Sequence, residues 1–123
     1  MAVIGIRRVV PHLRADDMAA SRGFYEGFLG LDVAMDLGWI LTFASPTNPT
    51  AQLNLYGAAA PPESLQPQMS IEVDDIDAVH ADAVGRGIEV VYPLTDEPWG
   101  VRRFFARDPN GHVVNVLSHL APE

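Results

Sequence analysis

Apolar and polar positions along the chain follow the period of a strand, then the spacing of a helix, then strand spacing three more times, and this whole succession runs twice. Residues 3–13 are rich in β-branched side chains and predict a first strand, with Pro11 implying an edge, a bulge or a bend. Asp16 or Asp17 is placed to cap a helix over residues 18 to about 29, since Met18, Ser21, Tyr25, Phe28 and Leu29 fall on one face and Gly30 ends the pattern. Three short strands follow at 31–37, 39–44 and 51–56, separated by Gly38 and by the turn-rich segment 45–49.

Residues 57–67 break the pattern with alanines and prolines and read as a connector. A strand at 68–73, a helix at 75–86 with Ile76, Val79, Ala83 and Val84 inward, and strands at 88–92, 101–106 and 112–117 complete the second succession. The landmark Arg14-Ala15-Asp16-Asp17-Met18 is matched 58 positions later by Glu72-Val73-Asp74-Asp75-Ile76. The expected architecture is α+β, one domain of two βαβββ modules: module one over about 1–57, a connector over 58–67 and module two over 68–120.

Composition narrows the function classes. A hydrophobic share of 48% makes long disordered stretches improbable. The formal charge of −8 argues against nucleic acid and suits neutral or cationic ligands, although solubility alone is a sufficient reason for it. There is no cysteine, which removes disulfides and thiolate chemistry, and the eight basic residues are all arginine, which removes a protein-side Schiff base. No signal-peptide pattern and no apolar run of about 20 residues is visible, so a cytoplasmic protein with no membrane partner is expected.

The segment from Asp96 to His112, DEPWGVRRFFARDPNGH, resembles the second-module signature of the vicinal oxygen chelate superfamily, which holds glyoxalase I, bleomycin and fosfomycin resistance proteins and extradiol dioxygenases. The segment from Phe24 to Leu31, FYEGFLGL, resembles its first-module signature. The Asp108-Pro109-Asn110-Gly111 turn has its own physical basis, with proline fixing φ at one corner and glycine tolerating positive φ at another. The resemblance implies paired modules whose mixed sheets curl around a cleft, and commonly a homodimer. In metal-dependent members of that superfamily, ligands sit on the first and fourth strands of each module. Those positions are Val10, Asn54, Gln68 and Asn115 here, and the expectation is that they line one cavity.

Valine offers no donor and the three amides only neutral oxygens, so no cofactor is expected, with a divalent metal as the alternative. His12, two residues from Val10, shares its strand face and is a candidate acid–base group or a structural histidine. Trp39, Phe43, Tyr56 and Trp99 are candidate aromatic contacts for a ligand. Arg102 and Arg103 alternate on one strand, so one of them faces the cleft, either to bind an anion or to pair with Asp96 or Glu97. The leading functional reading resembles the bleomycin resistance type: sequestration of an aromatic molecule, neutral or cationic, without metal. The competing reading is a glyoxalase-like lyase or isomerase or a dioxygenase-related enzyme, metal-dependent or using His12 as base with Arg103 stabilising an oxyanion.

Overall fold

A computed structural model describes residues 4–57 and 66–120. The elements are β1 (Ile6–Arg14), α1 (Met18–Arg22), a π-helical continuation (Gly23–Phe28), β2 (Asp32–Asp36), β3 (Ile40–Ala44), β4 (Gln52–Tyr56), β5 (Met69–Val73), α2 (Ile76–Gly85), β6 (Val90–Asp96), β7 (Val101–Arg107) and β8 (Val113–His119). Two βαβββ repeats therefore make up the α+β fold, as the doubled pattern predicts. The predicted connector lies outside the described residues over 58–65.

The chain divides into two compact units, one of residues 1–9 with 67–123 and the other of residues 10–66. In the second of these, the strand order is β2-β3-β4-β1, with β1 parallel to β4 and the other pairs antiparallel. The β1–β4 ladder begins at His12 opposite Asn54, directly after Pro11, whose missing N–H cannot donate to a sheet. Leu41, Phe43, Leu53 and Leu55 alternate onto one face and form a core with Ala15, against which Met18, Tyr25, Leu31 and Val33 pack.

The first helix departs from the predicted face. Past Gly23 it widens, so that Leu29 N bonds to Phe24 O, five residues back, at 3.0 Å. That change of winding turns Tyr25 inward against Phe43, with ring centroids 5.5 Å apart, and turns Phe28 and Leu29 out to 72% and 54% exposure. Phe24 is likewise half exposed and meets the Phe28 ring at a tilt, centroids 5.4 Å apart.

The other unit has the order β5-β8-β7-β6, with β5 parallel to β8 and the rest antiparallel. Val73, Ile76, Ala83 and Phe104 form its core, joined by Ile71, Val79, Val90, Leu94, Ala106 and Val116. Val84, predicted inward on α2, is instead 59% exposed. Pro93 lies where β6 loses register against β7, an irregularity an edge strand tolerates. The start of β1 belongs to this unit: Asp74 N donates to Gly5 O at 2.9 Å, and Arg7 and Arg8 pair with Asp74 and Glu72. A Cβ at Gly5 would overlap the Asp74 carboxylate and oblige that exposed side chain to move away from Arg7.

Both helices start on the aspartates that mark the sequence repeat. Asp17 Oδ1 accepts from Ala20 N at 3.0 Å and Asp75 Oδ1 from Ala78 N at 3.1 Å. Asp75→Ala should cost about 1 kcal/mol, read as a lowered urea midpoint with unchanged slope. The β7–β8 turn is held by Asp108, whose Oδ1 accepts from Asn110 N and His112 N, both at 2.9 Å. Its Oδ2 lies 2.9 Å from His112 Nδ1, and that hydrogen bond, with the two from the backbone, lowers the Asp108 pKa from its ordinary 3.8. A carboxylate with a depressed folded pKa contributes stability that is full above the unfolded value and is lost as pH falls through the folded one. Asp108→Asn should therefore flatten the acid limb of a pH-dependent melting curve below about pH 4, leaving its neutral region less affected.

Candidate functional site

Each unit presents, on the sheet face turned away from its helix, the residues that sequence reasoning singled out. In the unit of residues 10–66, Thr42, Asn54 and His12 form a polar row across β3, β4 and β1. Thr42 Oγ1 donates to Asn54 Oδ1 at 2.6 Å, and Asn54 Nδ2 lies 3.3 Å from His12 Nε2. With its oxygen accepting from Thr42, the Asn54 amide donates toward the ring, which makes His12 Nε2 an acceptor. Val10 is buried and aliphatic, and His12, not Val10, stands opposite Asn54 in the parallel register.

In the other unit, Ser70 occupies the position opposite Asn115. Asn115 Nδ2 donates to Ser70 Oγ at 2.9 Å, while its Oδ1, in a residue only 6% exposed, has no hydrogen-bond partner. Gln68 is committed elsewhere: its Oε1 accepts from Val113 N at 2.9 Å and its backbone N donates to Val113 O, tying the start of β5 to the start of β8. Asn115 lies on the face opposite the core because its neighbour Val116 packs into the helix-side cluster.

Beside Asn115 on that face is an aromatic and guanidinium cluster. Phe105 stands opposite Asn115 and Arg103 opposite Leu117. The guanidinium carbon of Arg103 lies 4.8 Å from the Phe105 ring centroid, 5.0 Å from Trp99 and 5.3 Å from Tyr92. Arg103 Nε and Nη2 both reach Glu97 Oε2, at 2.8 and 2.6 Å, and the Tyr92 hydroxyl donates to the same carboxylate. Trp99 rides at the tip of the β6–β7 turn, which closes through Gly100 N to Glu97 O at 3.1 Å and needs positive φ at Gly100. The indole is thus 62% exposed while lying against the cation.

The strand's alternation decides between the two arginines. Arg102 turns to the helix side and pairs with Asp77 of α2 and with Asp96, each at 2.9 Å, so Arg103 is the one on the Asn115 face. Phe43, proposed from sequence as a ligand contact, has 0% exposure within its core and leaves no surface for a ligand. Its alternation along β3 points it to the helix-side core with Leu41. Trp39 sits half-buried in the β2–β3 turn, its carbonyl accepting from Gly57 N, and Tyr56 is half-buried at the end of β4.

One constellation escaped the sequence reading. Glu72, Arg7, Asp74, Val73, Ser118 and His119 line a polar pocket of about 370 Å³. Glu72 Oε2 holds His119 Nδ1 at 2.7 Å and its Oε1 lies 3.0 Å from Arg8 Nε. Nothing in the sequence pairs residues 47 positions apart, although their shared face on neighbouring parallel strands follows once the repeat's register is known.

The sequence pattern of the Glyoxalase/Bleomycin resistance protein/Dioxygenase superfamily matches residues 5–116. The chain belongs to that superfamily. Among solved structures, a glyoxalase/bleomycin resistance/dioxygenase superfamily member from Vibrio splendidus 12B01 is similar at TM-score 0.66 and 18% identity, covering 92% of this chain and 98% of that one. Methylmalonyl-CoA epimerase from Mycobacterium tuberculosis matches at 0.66 and 18%, over 96% and 89%. The Mn(II)-bound glyoxalase from Novosphingobium aromaticivorans matches at 0.67 and 22%, over 95% of this chain but 39% of its own. At these identities the likeness is one of fold. Among curated proteins none is significantly similar in sequence.

Since superfamily members include a manganese enzyme, the donor set here bears on metal. Val10 has no donor atom, both ends of the Asn54 amide are engaged, and the Gln68 oxygen is taken by Val113 N. Only the Asn115 oxygen is unclaimed, and it is neutral. These residues do not fit a divalent metal, which at oxygen and nitrogen sites is held by imidazole and carboxylate. Among the described residues, no group of three or more histidines and carboxylates is arranged to hold one. No helix among them is long and apolar enough to cross a membrane.

Proposed function

We propose that this superfamily member binds a planar organic molecule on the aromatic face carrying Trp99 and Asn115, without a metal, and that sequestration is its activity. The observation that carries the reading is the state of the superfamily's ligand positions: one aliphatic and two amides already satisfied by protein partners. The third amide, Asn115, is buried beneath this face with its nitrogen on Ser70 and its oxygen unpaired, and that oxygen has no charge to offer a cation. Trp99 supplies exposed flat area at low entropic cost. The glyoxalase-like alternative would need charged ligands recruited from outside these positions. A homodimer, the assembly the family resemblance implies, is part of the proposal and is checked by light scattering.

Elemental analysis of purified protein, followed by thermal-shift and calorimetric titration with flat aromatic compounds in the presence and absence of chelator, tests the reading. The expected result is no stoichiometric metal, a fold indifferent to chelator, and aromatic binding that Trp99→Ala weakens about tenfold. Stoichiometric manganese, iron, nickel or zinc with chelator-sensitive turnover overturns it in favour of the enzyme.

A further inference from the structure

We infer that the aromatic face selects planar ligands carrying an anionic group and discriminates against cationic ones, an inference that rests on the proposed ligand-binding reading. Three rings with a carboxylate beside them form the arrangement that normally captures a cation. Here that place is filled from within: the Arg103 guanidinium lies about 5 Å from the Tyr92, Trp99 and Phe105 ring centroids and is neutralised by Glu97. The electron-rich ring faces are already spent on the protein's own cation, so a second cation stacked on the open side of Trp99 finds a depleted face and no free carboxylate beside it.

An anionic group finds the opposite. Glu97 engages Nε and Nη2 through one oxygen, and Nη1 makes no hydrogen bond among the described residues. Its N–H groups are therefore donors still available on this face, and the arginine side chain is 21% exposed beside the indole. A ring stacked on Trp99 with a carboxylate at its edge would place charge against those donors, a charge-assisted contact of the strong kind. The overall charge of −8, which on composition alone favours cationic ligands, acts weakly at this spot, because ions screen it beyond roughly 8 Å at physiological salt.

The experiment is a calorimetric titration with three probes sharing one ring system: 2-naphthoate, 2-naphthalenemethanol and 2-naphthylmethylammonium. Naphthoate should bind about tenfold or more tighter than the ammonium compound, with the alcohol between. The double variant E97Q/R103M, which removes both charges together and so leaves no uncompensated ion, should abolish the preference while the alcohol still binds. Equal or tighter binding of the ammonium probe, or a naphthoate preference that survives in a folded double variant, overturns the inference alone. Failure of all three probes on the native protein overturns it together with the ligand-binding reading. Should the double variant not fold, R103Q titrated with the same probes takes its place, and loss of the preference is again the supporting result.

Discussion

Phe104→Ala is expected to destabilise the protein by about 3–5 kcal/mol, the range for deleting a fully buried aromatic ring. Phe104 is 1% exposed at the centre of the core formed by Val73, Ile76 and Ala83. It also meets the His80 ring edge to face at a centroid distance of 4.9 Å. Truncation would leave a cavity walled by β-strand on one side and α2 on the other, neither of which can collapse onto it without breaking the strand register with Val116. Urea denaturation followed by far-ultraviolet circular dichroism measures the change. Phe104→Leu should recover more than half of it, because most of the volume is restored. A loss below about 1 kcal/mol for the alanine variant would contradict the packing described.

Glu97→Ala should be nearly as damaging, at about 3–5 kcal/mol, for an electrostatic reason. The Glu97 side chain is 9% exposed and that of Arg103 21%, so removing the carboxylate leaves a largely buried guanidinium with three rings and no counter-charge. The Tyr92 hydroxyl loses its acceptor at the same time. E97Q/R103M should cost much less than Glu97→Ala, since a buried ion pair replaced as a pair is often close to neutral. Comparing the double variant with E97Q and R103M singly in a double-mutant cycle reports the coupling. Additive effects in that cycle would mean that the pair contributes little beyond its separate parts.

The fold was legible because both signals it depends on are local. Helix caps at Asp17 and Asp75 and alternating apolar strands need only neighbours a few residues apart, and both repeats carry them. The inward face of the first helix was misread because a helical spacing assumes one winding. The turn to π geometry after Gly23 shifts the phase and leaves Phe28 outside. For the site, strand parity put the two arginines on opposite faces but did not say which of them shares a face with Asn115, because which parity faces the helix is decided by the packing of Ala106 and Phe104 against α2. The positions Asn54 and Asn115 could be read from the repeat, whereas their partners His12 and Ser70 depend on parallel register, which no short-range pattern encodes. The pairing of His119 with Glu72 was invisible for the same reason.

The division of β1 between the two units has a consequence for biosynthesis. Residues 10–66 are contiguous, so their unit can close as soon as it leaves the ribosome. Gly5, Arg7 and Arg8 meet Asp74 and Glu72 across more than sixty positions, so this segment must wait for residues 72–74 before it finds its place. Until residues 72–74 arrive, Arg7 and Arg8 lack their carboxylate partners, and Ile4, Ile6 and Val9, which stay about half exposed even in the folded chain, lie along a strand segment open to clumping.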